Sequence, residues 1–167
     1  VAVFQNWLRP AGASFDHLHK QLVGIDERGV TSQLELQKVR ANPTLYNEMA
    51  VAYAAYQGLL VASNEHAVAF AGFGHRYPTL EVYSTSAMPE PWLMSREEVD
   101  AVSDLVPALR AAPGADVPSN EEWHHKPIDV DQPMPWHITL KWRVPPPAAP
   151  RGGPQDHPPP PHPADAA

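Results

Sequence analysis

Gly12-Ala13-Ser14-Phe15-Asp16-His17-Leu18-His19-Lys20-Gln21-Leu22-Val23 decides how this chain is read. A small-residue turn leads into residues of alternating character. On an extended strand, side chains alternate faces with a period of two. His17, His19 and Gln21 therefore line one face, and Leu18, Lys20 and Leu22 line the other. Two imidazoles and a carboxamide in a row build a core poorly and hold a phosphate well. Histidine can attack phosphorus near neutral pH and then leave, because its ordinary pKa is about 6.5. The second imidazole could orient the first, bind a metal or donate a proton. Gln21 offers an amide donor and Ser14 a hydroxyl from the preceding turn. The competing structural reading is a surface strand that happens to carry two histidines.

Outward from that stretch, the pattern predicts strands at residues 1–7 and 17–25, separated by Arg9-Pro10 and Gly12-Ala13. Ser32 followed by Glu35 reads as a capping box that opens a helix to about residue 40. Asn42-Pro43 restarts a helix, whose apolar face continues to about residue 57. Short strands follow at 59–62, 67–73 and 80–84. A second capping box, Ser95 with Glu98, opens a helix to about residue 111, which Pro107 should kink. Residues 112–120 read as a linker, 121–128 as a strand, 129–135 as a loop and 136–144 as the last strand. Strands and helices in this order predict an α+β fold, an antiparallel sheet with flanking helices placed on one side. Phe4-Gln5-Asn6-Trp7 before His17-x-His19-x-Gln21 echoes Glu122-Trp123-His124-His125 before His137-x-Thr139-x-Lys141, a hint of internal duplication.

The 167 residues suit one ordinary domain, and a 43% hydrophobic content is near the globular norm. A net charge of −7 argues against a nucleic-acid surface or an anionic-membrane anchor, so local donors and histidines must hold any phosphate. With no cysteine, disulfides and Cys-based zinc sites are excluded within the chain. There is no apolar run of bilayer-spanning length and no signal peptide, so a cytoplasmic protein is expected. Proline, at 21 residues, crowds toward the C-terminus, and residues 145–167 read as a disordered Pro-rich tail. Because the chain opens directly on a strand without Met, a fragment of something longer is expected.

Phe4-Gln5-Asn6, Ala11-Gly12-Ala13-Ser14 and His17-x-His19-x-Gln21 together resemble the active-site signature of the galactose-1-phosphate uridylyltransferases, in the histidine-triad superfamily. Asn64 to Phe70, Tyr77-Pro78-x-x-Glu81, Trp123-His124, Lys126-Pro127 and Trp136-His137 extend the similarity more weakly over residues 3–146. The resemblance implies a histidine-triad-like fold, with residues 1–58 ending a first half whose N-terminal part is missing. Residues 59–144 would then form a degenerate second half.

For function, the resemblance implies that His19 attacks the α-phosphorus of a nucleoside diphosphate sugar. A covalent nucleotidyl-histidine would form and then pass its nucleotide to a sugar phosphate. Gln21 would bind phosphoryl oxygens, with Asn6 and Ser14 as further substrate-binding residues. Gln21 stands where the hydrolase branch has a third histidine, which favours transfer over hydrolysis. The partners implied are a nucleotide sugar and a sugar phosphate, and a homodimer is compatible with the reading. His17 matches a zinc ligand of some relatives, whose other ligands lie N-terminal to the motif. Glu35, His124 and His137 match positions that can surround a structural metal, although Glu35 competes as the capping partner of Ser32. Leu18 replaces the usual proline, and His137-x-Thr139-x-Lys141 replaces an expected His-x-His pair, which makes the second half scaffold. The alternative function is a nucleotide- or phosphate-binding module of the same fold without turnover.

Overall fold

The computed structural model describes residues 1–15 and 17–144; the expected tail falls outside them. Its strands are β1 (Ala2–Trp7), β2 (Gln21–Val23), β3 (Leu60–Ser63), β4 (Ala67–Ala71), β5 (Thr79–Ser84), β6 (Ser119–His124) and β7 (His137–Trp142). They form one antiparallel sheet in the order β2-β1-β6-β7-β5-β4-β3. The helices are α1 (Val30–Ala41), a π-helical segment (Asn47–Ala52) running into α2 (Tyr53–Tyr56), and α3 (Arg96–Ala111). The α+β reading holds.

The helices cover both sides of the sheet, not one. Strand β4 shows why, since its side chains are buried whichever way they point. Ala67 and Ala69 join Val82, Ile138 and Leu140 beneath Val102, Val106 and Leu109 of α3. Val68 and Phe70 point the other way, with Tyr83, into a second core closed by Ala54 and Tyr46. A strand buried on both faces loses polar alternation and reads as a plain apolar run.

Helix α3 forms where its sequence says it should. Ser95 Oγ accepts from the Glu98 amide at 3.3 Å, and a Glu98 carboxylate oxygen accepts from the Ser95 amide at 2.8 Å. This reciprocal capping satisfies two donors that the first turn leaves free. Pro107 lies inside the helix, which continues to Ala111.

Three further expectations need correction. First, α1 starts at Val30 with Gly29 as its cap, so Ser32 and Glu35 lie within the helix and form no capping box. Asn42 does cap the restart: its side-chain oxygen accepts from the Thr44 amide at 3.1 Å. Second, β2 is only three residues long, because its ladder with β1 ends at the Phe4–Gln21 pair. Residues 17–20 precede it without ladder bonding. Third, β6 begins at Ser119, inside the expected linker, and ends at His124. Its pairing with β1 on one side and β7 on the other draws Ser119 and Asn120 into the sheet.

Candidate active site

Directly opposed residues of paired strands share a sheet face. The register runs Gln21–Phe4–Glu122–Thr139–Glu81 across β2, β1, β6, β7 and β5. One row along lie Asn6, Asn120, Lys141 and Thr79. The polar face inferred from residues 17–21 is thus continuous with a polar row from β2 to β5, which gives way to Phe70 on β4.

The histidine segment keeps its alternation although it is not regular strand. Leu18 turns toward α3, where it lies with Trp7 and Arg110 around a cavity of about 390 Å³. Lys20 follows it, its ammonium 5.2 Å above the Trp123 ring. His17 and His19 stack on each other with centroids 5.0 Å apart and planes 24° apart, as i and i+2 neighbours of one face do. Phe15 packs against both rings at 6.1 and 6.3 Å.

His19 Nδ1 lies 3.0 Å from the His17 carbonyl oxygen. A carbonyl can only accept, so Nδ1 carries the proton and donates it. That fixes the tautomer in which Nε2 holds the free lone pair, the form a nucleophilic imidazole requires.

Next to this segment a cavity of about 350 Å³ opens over β1, lined by Ala2, Val3, Phe4, Asn6, Glu122 and Trp123. This volume lies within the range of small-ligand sites. Phe4 gives it an aromatic surface and Asn6 an amide. The Glu122 carboxylate beside them is paired with Lys141 Nζ at 2.5 Å. Gln21 stands opposite the cavity-lining Phe4 in the ladder.

Asn6 is held in a definite orientation. Asn120, almost wholly buried, donates from Nδ2 to the Ala11 carbonyl at 2.8 Å and to Asn6 Oδ1 at 2.6 Å. Its own oxygen accepts from Arg143 Nε. Asn6 therefore turns its oxygen to Asn120 and its Nδ2 toward Gly12, where a Cβ would lie 3.6 Å away. Gly12 adopts φ +89°, a conformation that favours glycine. The preceding Leu8 also has positive φ, at +65°, a strained position at the entrance to the same turn. Ser14 lies exposed just beyond.

The expected metal ligands are not gathered together. Among the described residues no three His, Asp or Glu side chains form a group able to hold a metal ion. His17 is exposed and stacks on His19. His124 and His137 oppose each other across β6 and β7 and stack almost parallel, 4.6 Å apart at 6°. Parallel stacked rings do not aim nitrogens at a common point, and His137 Nδ1 is engaged at 3.0 Å by the Pro135 carbonyl. On its other face His137 stacks on Tyr83 at 4.4 Å. Burial holds His124 down at about 4 and His137 at about 3, so both are neutral. Burial raises the Glu35 carboxyl, and the nearby Glu81 charge pushes it the same way. Among the described residues these side chains do not by themselves complete a zinc site or a structural-metal site.

Sequence reasoning missed Phe4 and Glu122 as cavity walls, together with Asn120 and Arg143. Their roles come from the β1–β6–β7 register, which no local pattern announces.

A family model described as a domain of unknown function, DUF4921, matches residues 1–155. No curated protein matches the chain. Among solved structures, a GalT-like protein from Arabidopsis thaliana is similar with TM-score 0.65 and 22% identity, over 84% of this chain and 50% of its own. A structure described as a uridylyltransferase gives 0.64 and 21%, over 84% and 48%. An ADP-glucose phosphorylase from Arabidopsis thaliana, solved with bound ADP-glucose, gives 0.60 and 20%, over 89% and 51%. The chain has the fold of these structures and spans about half their length.

Proposed function

We propose that this chain, which belongs to the DUF4921 family, is a nucleotidyltransferase-type protein in which His19 Nε2 takes up a nucleoside monophosphate from a nucleoside diphosphate sugar. The observation that carries the reading is the His19 tautomer: the His17 carbonyl occupies Nδ1 and leaves Nε2 free, on the segment leading into Gln21, which pairs with the cavity-lining Phe4. Attack on the α-phosphorus forms the Nε2–P bond and breaks the bond to the bridging oxygen, releasing the sugar phosphate. A second sugar phosphate then takes the nucleotide by the reverse displacement. The Asn6 and Gln21 amides donate to phosphoryl oxygens, and donors already in place where charge develops are an efficient form of transition-state stabilisation. Phe4 offers a surface for the base, and Glu122 can accept from sugar hydroxyls.

Binding without turnover is the second reading. It is favoured by the short β2 ladder, which ends before His19 and leaves the outer edge of β2 unpaired among the described residues. A two-part experiment separates the readings. Thermal stabilisation by UMP tests binding, and mass spectrometry after exposure to UDP-glucose or ADP-glucose tests transfer to protein. Stabilisation with an adduct supports the transferase, stabilisation alone supports the binding module, and neither result would end both.

A further inference from the structure

Nothing in the β-ladder holds His19, whose own hydrogen bond stays within its segment, to the His17 carbonyl. The adjacent side chain is differently placed. Lys20 reaches to the α3 side of the sheet, where its ammonium meets the carboxylate of Glu121. The Glu121 side chain is 1% exposed, so this carboxylate lies inside the protein. It is held from two further directions: Arg110 of α3 pairs with its other oxygen, and Trp123 Nε1 donates at 2.6 Å. Glu121 also stands opposite Gln5 of β1 and Leu140 of β7, in the middle of the sheet.

We propose that Lys20 is a positioning residue for His19, anchored by the buried Glu121–Arg110 pair on the opposite side of the sheet. Alternation supplies the mechanism. Drawing residue 20 down toward α3 turns residues 19 and 21 up toward the Asn6 cavity. The anchor sits between the proposed nucleophile and the proposed phosphoryl donor, so one contact orients both. An exposed ion pair would be worth little for this purpose. A fully buried carboxylate held by Arg110 and Trp123 cannot follow a wandering lysine, so the lysine must come to it. The proposal rests on the reading of His19 as nucleophile.

Lys20→Met is the informative change. It keeps an aliphatic stem against Trp123, and Glu121 retains Arg110 and Trp123, so no buried charge is stranded. Three measurements are compared in the wild type, Lys20→Met and Lys20→Arg. These are the single-turnover rate of protein nucleotidylation by UDP-glucose, the dissociation constant for UMP, and the NMR order of the His19 ring.

In Lys20→Met we expect nucleotidylation to slow by roughly tenfold to 100-fold, the scale set by small misplacements of reacting groups. UMP binding should change less than about threefold, since Asn6 and Phe4 are untouched, and Lys20→Arg should recover most of the rate. Wild-type nucleotidylation in Lys20→Met with an equally ordered His19 ring would overturn the proposal. If the wild type itself is never nucleotidylated, the nucleophile reading fails and the ring measurement still decides. A His19 ring loosened by Lys20→Met and restored by Lys20→Arg supports the anchor, and an unchanged ring refutes it.

Discussion

Asn120 Nδ2 donates to Asn6 Oδ1 at 2.6 Å, across the β1–β6 ladder in which the two residues are directly opposed. The bond turns the Asn6 amide nitrogen away from Asn120 and toward Gly12, and Arg143 and the Ala11 carbonyl leave Asn120 no reason to flip. One buried amide therefore decides whether Asn6 offers a phosphate a donor or an acceptor.

Asn120→Asp tests this. A carboxylate cannot donate to Asn6 Oδ1, so Asn6 should reverse and present its oxygen to the cavity. Losing one donor to an anion costs about 1.5–3 kcal/mol, so UMP binding should weaken by roughly tenfold to 100-fold in calorimetry. An Asn120→Asp variant that binds as well as wild type would contradict the assigned orientation.

The stacked pair His124 and His137 predicts an acid-sensitive fold. Both are neutral when folded, lowered by burial to about 4 and about 3, whereas an unfolded histidine protonates below about 6.5. Below that pH the unfolded chain binds more protons than the folded one, so stability falls as pH falls. It is undiminished by this pair above about pH 6.5. Each histidine contributes a slope of up to about 1.4 kcal/mol per pH unit until its folded value is reached. Urea unfolding between pH 7 and pH 4.5 measures the slope. His137→Phe, which keeps a ring against Tyr83, should remove about half of it.

Gly72 has a more local consequence. A Cβ there would sit 2.7 Å from the Glu81 carboxylate oxygen that His75 Nε2 contacts at 2.9 Å. Gly72→Ala should break that pair and lower stability by about 1–3 kcal/mol, the usual cost of overpacking. Thermal unfolding reads it directly, and an unchanged midpoint would contradict the packing described.

Local patterns found what local forces determine. The Ser95–Glu98 box, the apolar stripe of α3 and the alternation of residues 17–21 all rest on contacts within a few positions. What escaped depends on residues far apart in the chain. Ser119 and Asn120 look like linker until β1 and β7 flank them and Asn6 and Arg143 engage the Asn120 side chain. Glu121 looks like a surface acid until Lys20 and Arg110 bury it. Glu35 matches a capping box in spacing, yet Gly29 starts the helix earlier and turns Glu35 toward Tyr46. The two-sided helical cover was hidden because the two helical regions alone do not say which face each will take.

The central claim is the covalent role of His19. Intact-protein mass spectrometry after incubation with UDP-glucose, followed by peptide mapping, tests it most directly. The account predicts a uridylyl adduct on His19, removed by a hexose 1-phosphate and absent from His19→Ala. An equal adduct in His19→Ala, or none in wild-type protein that binds UMP, would contradict it.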